Sequence, residues 1–197
     1  MSGFFFVSPY LFLLLIPAIT MKMFAEEKRS GTIELLFTKP LSVFTIVFAK
    51  FLAGLTLVFL SLLPTLVYYV TIYSIAVPVG NVDSGAVFGS YIGLLLLAAS
   101  FVAIGLFSSA ITNNQIVSFI VAILLCLFCY QGFEVIYSSI RTLGDFDLLV
   151  KSLGIHHHYE SVSRGVIDTR DALYFLSVIA IFLMLTYTVL QSRKWQK

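Results

Sequence analysis

Long apolar runs divide the chain, and its polar residues gather in the gaps between them. The runs cover about 4–24, 43–73, 89–111, 115–133 and 172–190, and within each the apolar residues are continuous rather than alternating. A helix crosses the roughly 30 Å of bilayer hydrocarbon with about 20 apolar residues, whereas a barrel strand needs about ten in alternation. Backbone amides in lipid must bond within their own segment. The pattern therefore predicts an all-α membrane protein, a polytopic helical bundle of five spans forming a single domain over 1–197. The second run is too long for a simple crossing, since its 31 residues would reach about 46 Å as a helix. Its first turns are expected at the membrane interface, with the Lys50 amine snorkelling to the headgroups. Pro64 should bend the same helix and Pro17 the first one, because proline removes a backbone bond and crowds the preceding turn.

Composition agrees with the pattern. The chain is 59% hydrophobic and 11% charged, against about 25% charged residues in soluble domains, and its mean hydropathy is +1.01. The few charges fix an orientation. One side of the membrane receives Lys22, Lys28, Arg29, Lys39, Lys50, Arg193, Lys194 and Lys197 with Glu26, Glu27 and Glu34, eight basic residues against three acidic. The other receives Arg141, Lys151, Arg164 and Arg170 with Asp83, Glu134, Asp145, Asp147, Glu160, Asp168 and Asp171, four against seven. Basic residues collect on the cytoplasmic side, which places residues 26–42 and the C-terminus in the cytosol and the 134–171 loop outside. Met1 would then lie outside although the start of the chain has no signal-peptide pattern. The expectation is a chain that lacks one preceding span, rather than a native five-span protein.

Little chemistry is encoded. No glycine is followed by lysine, so a G-x-x-x-x-G-K-[ST] phosphate loop does not occur, and no H-E-x-x-H is present. No basic run points to nucleic acid. Cys126 and Cys129 lie in an apolar run and read as small buried residues. His156, His157 and His158 are consecutive, so as helical residues they point in different directions. A solvated role on the outer face is expected of them, rather than metal binding. No ionisable residue falls mid-span, which argues against an ion-coupled transporter. Thr56, Ser61, Thr65, Tyr68, Tyr69 and Thr71 line much of the second span, facing a pathway or bonding to neighbouring helices. Gly89 and Gly93, Ala99 and Ala103, and Gly105 with Ser109 place small residues four apart in the third span, a pattern for close helix packing or a subunit interface.

The segment EEKRSGTIELLFTKP (26–40) is the most polar break between two apolar runs on the cytoplasmic side. Gly31 permits a turn. Thr32–Thr38 has one apolar side, Pro40 ends it, and Ser42 is placed to cap the next helix. The result is a short helix tied at both ends to membrane spans, serving either as an interfacial helix or as a docking surface. In the outer loop, Phe133, Ile136, Ile140, Leu148 and Leu149 predict short amphipathic helices. Asp168 or Thr169 should cap the last span. Arg164 and Arg170 pair within the loop, with Glu160 or Asp171, or bind lipid headgroups or an accessory protein.

The series Glu27, Arg29, Gly31, Thr32, Ile33, Glu34, Leu35, Leu36, then Thr38, Lys39, Pro40, Leu41, Ser42 and Lys50 resembles the signature of ABC-2 type transporter permeases. Two further stretches, LLPTLVYYVTIYSIAVPVGNVDSGAVFGSYIGL and HYESVSRGVIDTRDALYFLSVI, are similar to the permease subunit associated with gliding motility. The resemblance covers essentially the whole chain. It implies six spans, a bacterial inner-membrane location and a role in export. It also implies a coupling helix at 32–38 that docks in a groove of an ABC ATPase subunit through Glu27, Gly31, Thr32, Glu34, Leu35, Leu36 and Pro40. A second permease copy or a homologous subunit would complete the pathway. The resemblance further implies a re-entrant region in the outer loop. ATP and Mg would sit on the ATPase, with no cofactor in this chain. A membrane scaffold in a motility or secretion complex, with no transport of its own, is the rival reading.

Overall fold

The computed structural model describes residues 2–38, 40–76, 82–140, 151–166 and 168–195. Lys39, Arg141, Asp145, Asp147, Leu148 and Leu149 therefore lie outside the described residues. Among the described residues the α-helices are, in order, α1 (Ser2–Thr20), α2 (Ala25–Arg29), α3 (Ile33–Phe37), α4 (Val43–Leu62), α5 (Leu66–Ile75), α6 (Ser84–Ile111), α7 (Gln115–Leu127), α8 (Phe133–Ile140), α9 (Ile155–Ser163) and α10 (Thr169–Trp195). Five continuous stretches are long and apolar enough to cross a membrane: Gly3–Arg29, Val43–Ile75, Ser84–Ile111, Gln115–Ser138 and Thr169–Ser192. With family evidence given below, the protein is a multi-pass membrane protein.

The third crossing is the axis of the bundle. Of its most apolar stretch, 78% is buried, against 22–44% for the other four. α6 is built from Gly, Ala, Ser and apolar residues on every side, the composition of a helix surrounded by protein rather than set at its edge. Leu94, Leu97, Phe101, Val102, Ile104 and Leu106 are all fully buried. α1, α4, α7, α9 and α10 all pack against it. Asp83 caps its start, its carboxylate accepting from the Ala86 N–H at 3.0 Å. The helix therefore begins five residues before the apolar run from which it was read.

Three crossings are broken. In the second, Pro64 sits in a 3₁₀ turn, Leu63–Thr65, between α4 and α5, the bend that proline predicts. In the fourth, a π-helical turn over Phe128–Gly132 joins α7 to α8, so the helix continues well past residue 133. In the first, α1 passes through Pro9 and Pro17 without interruption and stops at Thr20. Residues 21–24 are turns before α2, so the helix read from the apolar run over 4–24 ends four residues early. Pro17 is not the break.

Successive crossings run in opposite directions. Residues 21–42, the α6–α7 turn and the end of α10 lie at one end, the elbow end. The end of α5, the start of α6, α9 and the start of α10 lie at the other, the loop end. Asp168 caps α10, accepting from the Arg170 N–H at 3.0 Å.

Candidate functional site

The polar break between the first two crossings folds into an elbow whose inner side is fastened to the bundle. Where α1 stops, main-chain groups lose their helical partners, and a single hydroxyl from α6 replaces them. Ser109 Oγ accepts from the Phe24 N–H at 2.9 Å and the Ala25 N–H at 3.0 Å, and donates to the Met21 carbonyl at 3.1 Å. A hydroxyl has one hydrogen and two lone pairs, so Ser109 is fully used. Each buried main-chain group left without a partner would cost about 1–3 kcal/mol.

Lys50 of α4 makes the second fastening. Its amine donates to Glu27 Oε1 at 2.5 Å and to the Met23 carbonyl, and it lies 4.7 Å from the centroid of the buried Phe24 ring. The Lys50 side chain is 19% exposed. It therefore turns inward to close the elbow instead of snorkelling to headgroups, because a carboxylate, a carbonyl and a ring face converge within its reach. The Glu27 carboxylate, 28% exposed, is held by Lys50 and braces the elbow.

The third fastening is apolar. Gly31 takes a φ of +74°, a left-handed conformation that side chains with a Cβ rarely adopt, and turns the chain from α2 into α3. Ile33 is buried, and Leu36 and Phe37 pack half-buried on the same core. The Thr32 hydroxyl lies 2.9 Å from that of Ser30, and Ser42 caps α4 by accepting from the Thr45 N–H at 3.1 Å. Gly31, Thr32, Glu34, Leu35, Pro40 and Leu41 are exposed, with Leu35 at 67%. Of the seven residues singled out from the sequence, the elbow thus turns five outward and keeps Glu27 and Leu36 partly inside.

At the loop end, α9 lies across the tips of several crossings. Its Ile155, Tyr159 and Val162 are buried, three positions spaced to share one face. Tyr159 donates to the Phe5 carbonyl at 2.8 Å, and Ser90 Oγ donates to the Ser163 carbonyl at 2.8 Å. Gly89 and Gly93 make the fit possible. A Cβ on Gly89 would lie 2.6 Å from the Gly165 carbonyl oxygen, and one on Gly93 would lie 2.4 Å from Val162 Cγ1. Gly105 serves α1 in the same way, since a Cβ there would meet Thr20 Oγ1 at 2.1 Å. Ala99 and Ala103 are buried, and Ala99 borders an apolar groove with Phe48, Phe51 and Leu183.

His157 is exposed, as expected of all three histidines, whereas His156 and His158 are partly buried and partnered. His156 Nδ1 is 2.8 Å from Glu134 Oε2. His158 is set between Asp171 Oδ1 at 2.7 Å and the Ser152 carbonyl at 2.9 Å, and its ring stacks on Tyr174 at 3.9 Å. Their differing directions tie α9 to α8 and to α10. No group of three or more His, Cys, Asp or Glu side chains able to hold a metal occurs among the described residues.

Sequence reasoning missed Ser109, whose signal was a Ser108–Ser109 pair at the end of an apolar helix. It also missed the inward role of Lys50, whose signal was a carboxylate one short connection away at Glu27. The polar residues of the second crossing mostly bond locally: Thr56, Ser61 and Thr71 donate to carbonyls of their own helix. Thr65 bonds locally to the Leu62 carbonyl and also reaches Tyr91, and Tyr69 reaches Ser84. The elbow has no reacting groups; it presents an exposed face that is mechanically joined to α1, α4 and α6. Residues 4–195 match the model of a family described as ABC-2 family transporter protein. No curated protein matches the chain.

Proposed function

The chain belongs to the ABC-2 family of transporter proteins, and on that premise we propose that its elbow is the part that receives work from an ATPase. The family supplies the membrane permease component of ABC transporters, and its partner is an ABC ATPase subunit. In this reading the elbow end faces the cytoplasm of a bacterial inner membrane, the side that collects the basic residues. The outward face formed by Gly31, Thr32, Glu34, Leu35 and Pro40 enters a groove on the ATPase, Leu35 filling an apolar site and Glu34 meeting a basic one. A helix set into a groove is a common recognition mode.

The observation that supports this reading best is the combination of an exposed tip and a fastened base. A force applied to α3 is not absorbed by a loose loop. Buried Ile33 passes it to the core, the Lys50–Glu27–Met23 clamp passes it to α4 and α1, and Ser109 passes it to α6. Closure of two ATPase subunits would then tilt the attached crossings and alternate access to a pathway shared with a second permease copy or a homologous subunit. Outward transport is the direction proposed, and a gliding-motility machine is the proposed setting, on the strength of the stretches 62–94 and 158–179.

The test is co-purification of the ATPase subunit with full-length chain carrying Glu34→Lys or Leu35→Asp, both exposed positions where folding is undisturbed. Association should fall at least ten-fold. Undiminished association would sink the docking assignment. Substrate-stimulated ATP turnover that depends on this subunit separates a transporter from a scaffold, which would show none.

A further inference from the structure

We infer that the outward face of α9 is a binding site for the headgroup of an anionic phospholipid, with Lys151 and Arg164 as its cationic ligands. The site is a cavity of about 440 Å³ lined by Lys151, His157, Glu160, Ser161, Arg164 and Val166. His157, Glu160, Ser161 and Arg164 fall at helical spacing on the face opposite the buried Ile155, Tyr159 and Val162. Burial first, then the charges of Lys151 and His158, hold His157 below the ordinary histidine value. Arg164 forms an ion pair with Glu160. A guanidinium has five N–H groups, so this bond leaves others for a ligand in the cavity that Arg164 lines. Counting Lys151, Arg164 and Glu160, the cavity carries one net positive charge.

Depth selects a lipid over a soluble anion. α6 has 28 residues and is about 42 Å long, some 12 Å more than the hydrocarbon layer. Centred in the bilayer, it meets the hydrocarbon edge about four residues from Ser84. The turn after α9 rests on Gly89, at that edge, and Val162 of α9 rests on Gly93, about 7 Å further in; the opposite, polar face of α9 is one helix diameter of about 10 Å away, which brings it to headgroup level. The rim is suited to the same position. Leu153 and Val166 are exposed apolar residues beside the cations, and the Lys151 amine lies 5.6 Å from the Tyr137 ring centroid. Apolar anchors next to Lys and Arg mark segments that sit in the interface of an anionic membrane. Nothing in this inference depends on the elbow or on ATPase docking.

The experiment titrates delipidated full-length protein in neutral detergent with dioleoyl phosphatidylglycerol, and separately with dioleoyl phosphatidylcholine and with inorganic phosphate, reading bound lipid by native mass spectrometry and all three titrants by thermal shift. Each basic residue near an anionic surface contributes about five-fold in affinity, so Lys151→Gln with Arg164→Gln should weaken phosphatidylglycerol binding roughly 30-fold. Glu160→Gln should strengthen it, because it releases Arg164 and removes the competing negative charge. That variant opposes a merely structural reading, in which breaking the Glu160–Arg164 pair could only loosen the loop. Equal binding by the double variant, weaker binding by Glu160→Gln, equal binding of phosphatidylcholine, or a thermal shift with phosphate as large as with the lipid would each overturn the inference.

Discussion

Replacing Lys50 with Met tests whether the amine braces the elbow or anchors in the headgroups. Methionine keeps most of the side chain's length and apolar volume, so the change removes the charge and its donors. The loss comprises the ion pair to Glu27 at 2.5 Å, the bond to the Met23 carbonyl and the contact with the Phe24 ring at 4.7 Å. Hydrogen bonds to charged groups contribute about 1.5–3 kcal/mol each, and a cation over a ring about 1 kcal/mol. The pair is partly exposed, 19% and 28% for the two side chains, so solvent screening reduces the sum. We expect a net cost of about 2–3 kcal/mol, equivalent to a fall of roughly 5–10 °C in Tm for a chain of this size. A double-mutant cycle with Glu27→Gln makes the test specific. In the Lys50→Met background the carboxylate has lost its counter-charge, so neutralising it should recover part of the lost stability and give a coupling energy of about 1–2 kcal/mol. ATPase binding should persist, because the outward face is untouched, while turnover coupled to transport falls. A snorkelling lysine predicts a different cycle, with additive effects and a small Lys50→Met cost. That result would refute the bracing argument.

Ser109→Ala should cost about 2–4 kcal/mol, since three main-chain groups at the end of α1 lose one shared partner; thermal melting of the solubilised protein is the measurement, and a cost below 1 kcal/mol would show that the break is held by other means. Gly93→Ala should cost about 1–3 kcal/mol and be rescued by Val162→Ala, which removes the methyl that the new Cβ meets. Gly89→Ala should resist any such rescue, because its obstacle is the Gly165 carbonyl oxygen, and melting curves of the two double variants check the contrast.

Much of this architecture could be read from the apolar runs because a membrane leaves a backbone few ways to satisfy its amides. Caps were also legible: Ser42 and Asp168 lie one residue before the helices they start, and their short side chains bond only locally. What escaped the sequence was whatever depended on a distant partner. Lys50 alone at the end of a span looks like a headgroup anchor, and nothing within its own helix indicates that Glu27 and the Met23 carbonyl will converge on it. Three adjacent histidines likewise look solvated until α8 and α10 supply Glu134 and Asp171. The break after Thr20 carried no glycine, and the two prolines upstream of it are accommodated within α1, so the local pattern favoured a continuous helix. Its cause lies 85 residues away, in the hydroxyl of Ser109.

The distribution of breaks divides the bundle into a frame and moving parts. The α1–α2 crossing, the α4–α5 crossing and the α7–α8 crossing each contain a non-α turn, at 21–24, 63–65 and 128–132. α6 and α10 contain none over 28 and 27 residues. Close packing transmits displacement between stiff elements, while a turn lets one half of a crossing rotate relative to the other. The two unbroken helices pack along each other more extensively than any other pair, and α6 carries contacts at both ends: Ser109 and Gly105 at the elbow end, Gly89 and Gly93 at the loop end. On the proposed coupling, a push at α3 would enter two jointed crossings through Ile33 and Lys50 and reach α6 through Ser109 as a single stiff body. Motion should appear first on the far side of the 63–65 turn, in α5, none of whose residues is buried. Spin labels at Leu60 and Val70, both exposed and on either side of that turn, should show a distance that changes with nucleotide on the ATPase. Labels at Ile92 and Ile111, both on α6, should hold a fixed separation through the same cycle. A change within α6 as large as that across the turn would mean that the bundle deforms as a whole and contains no frame.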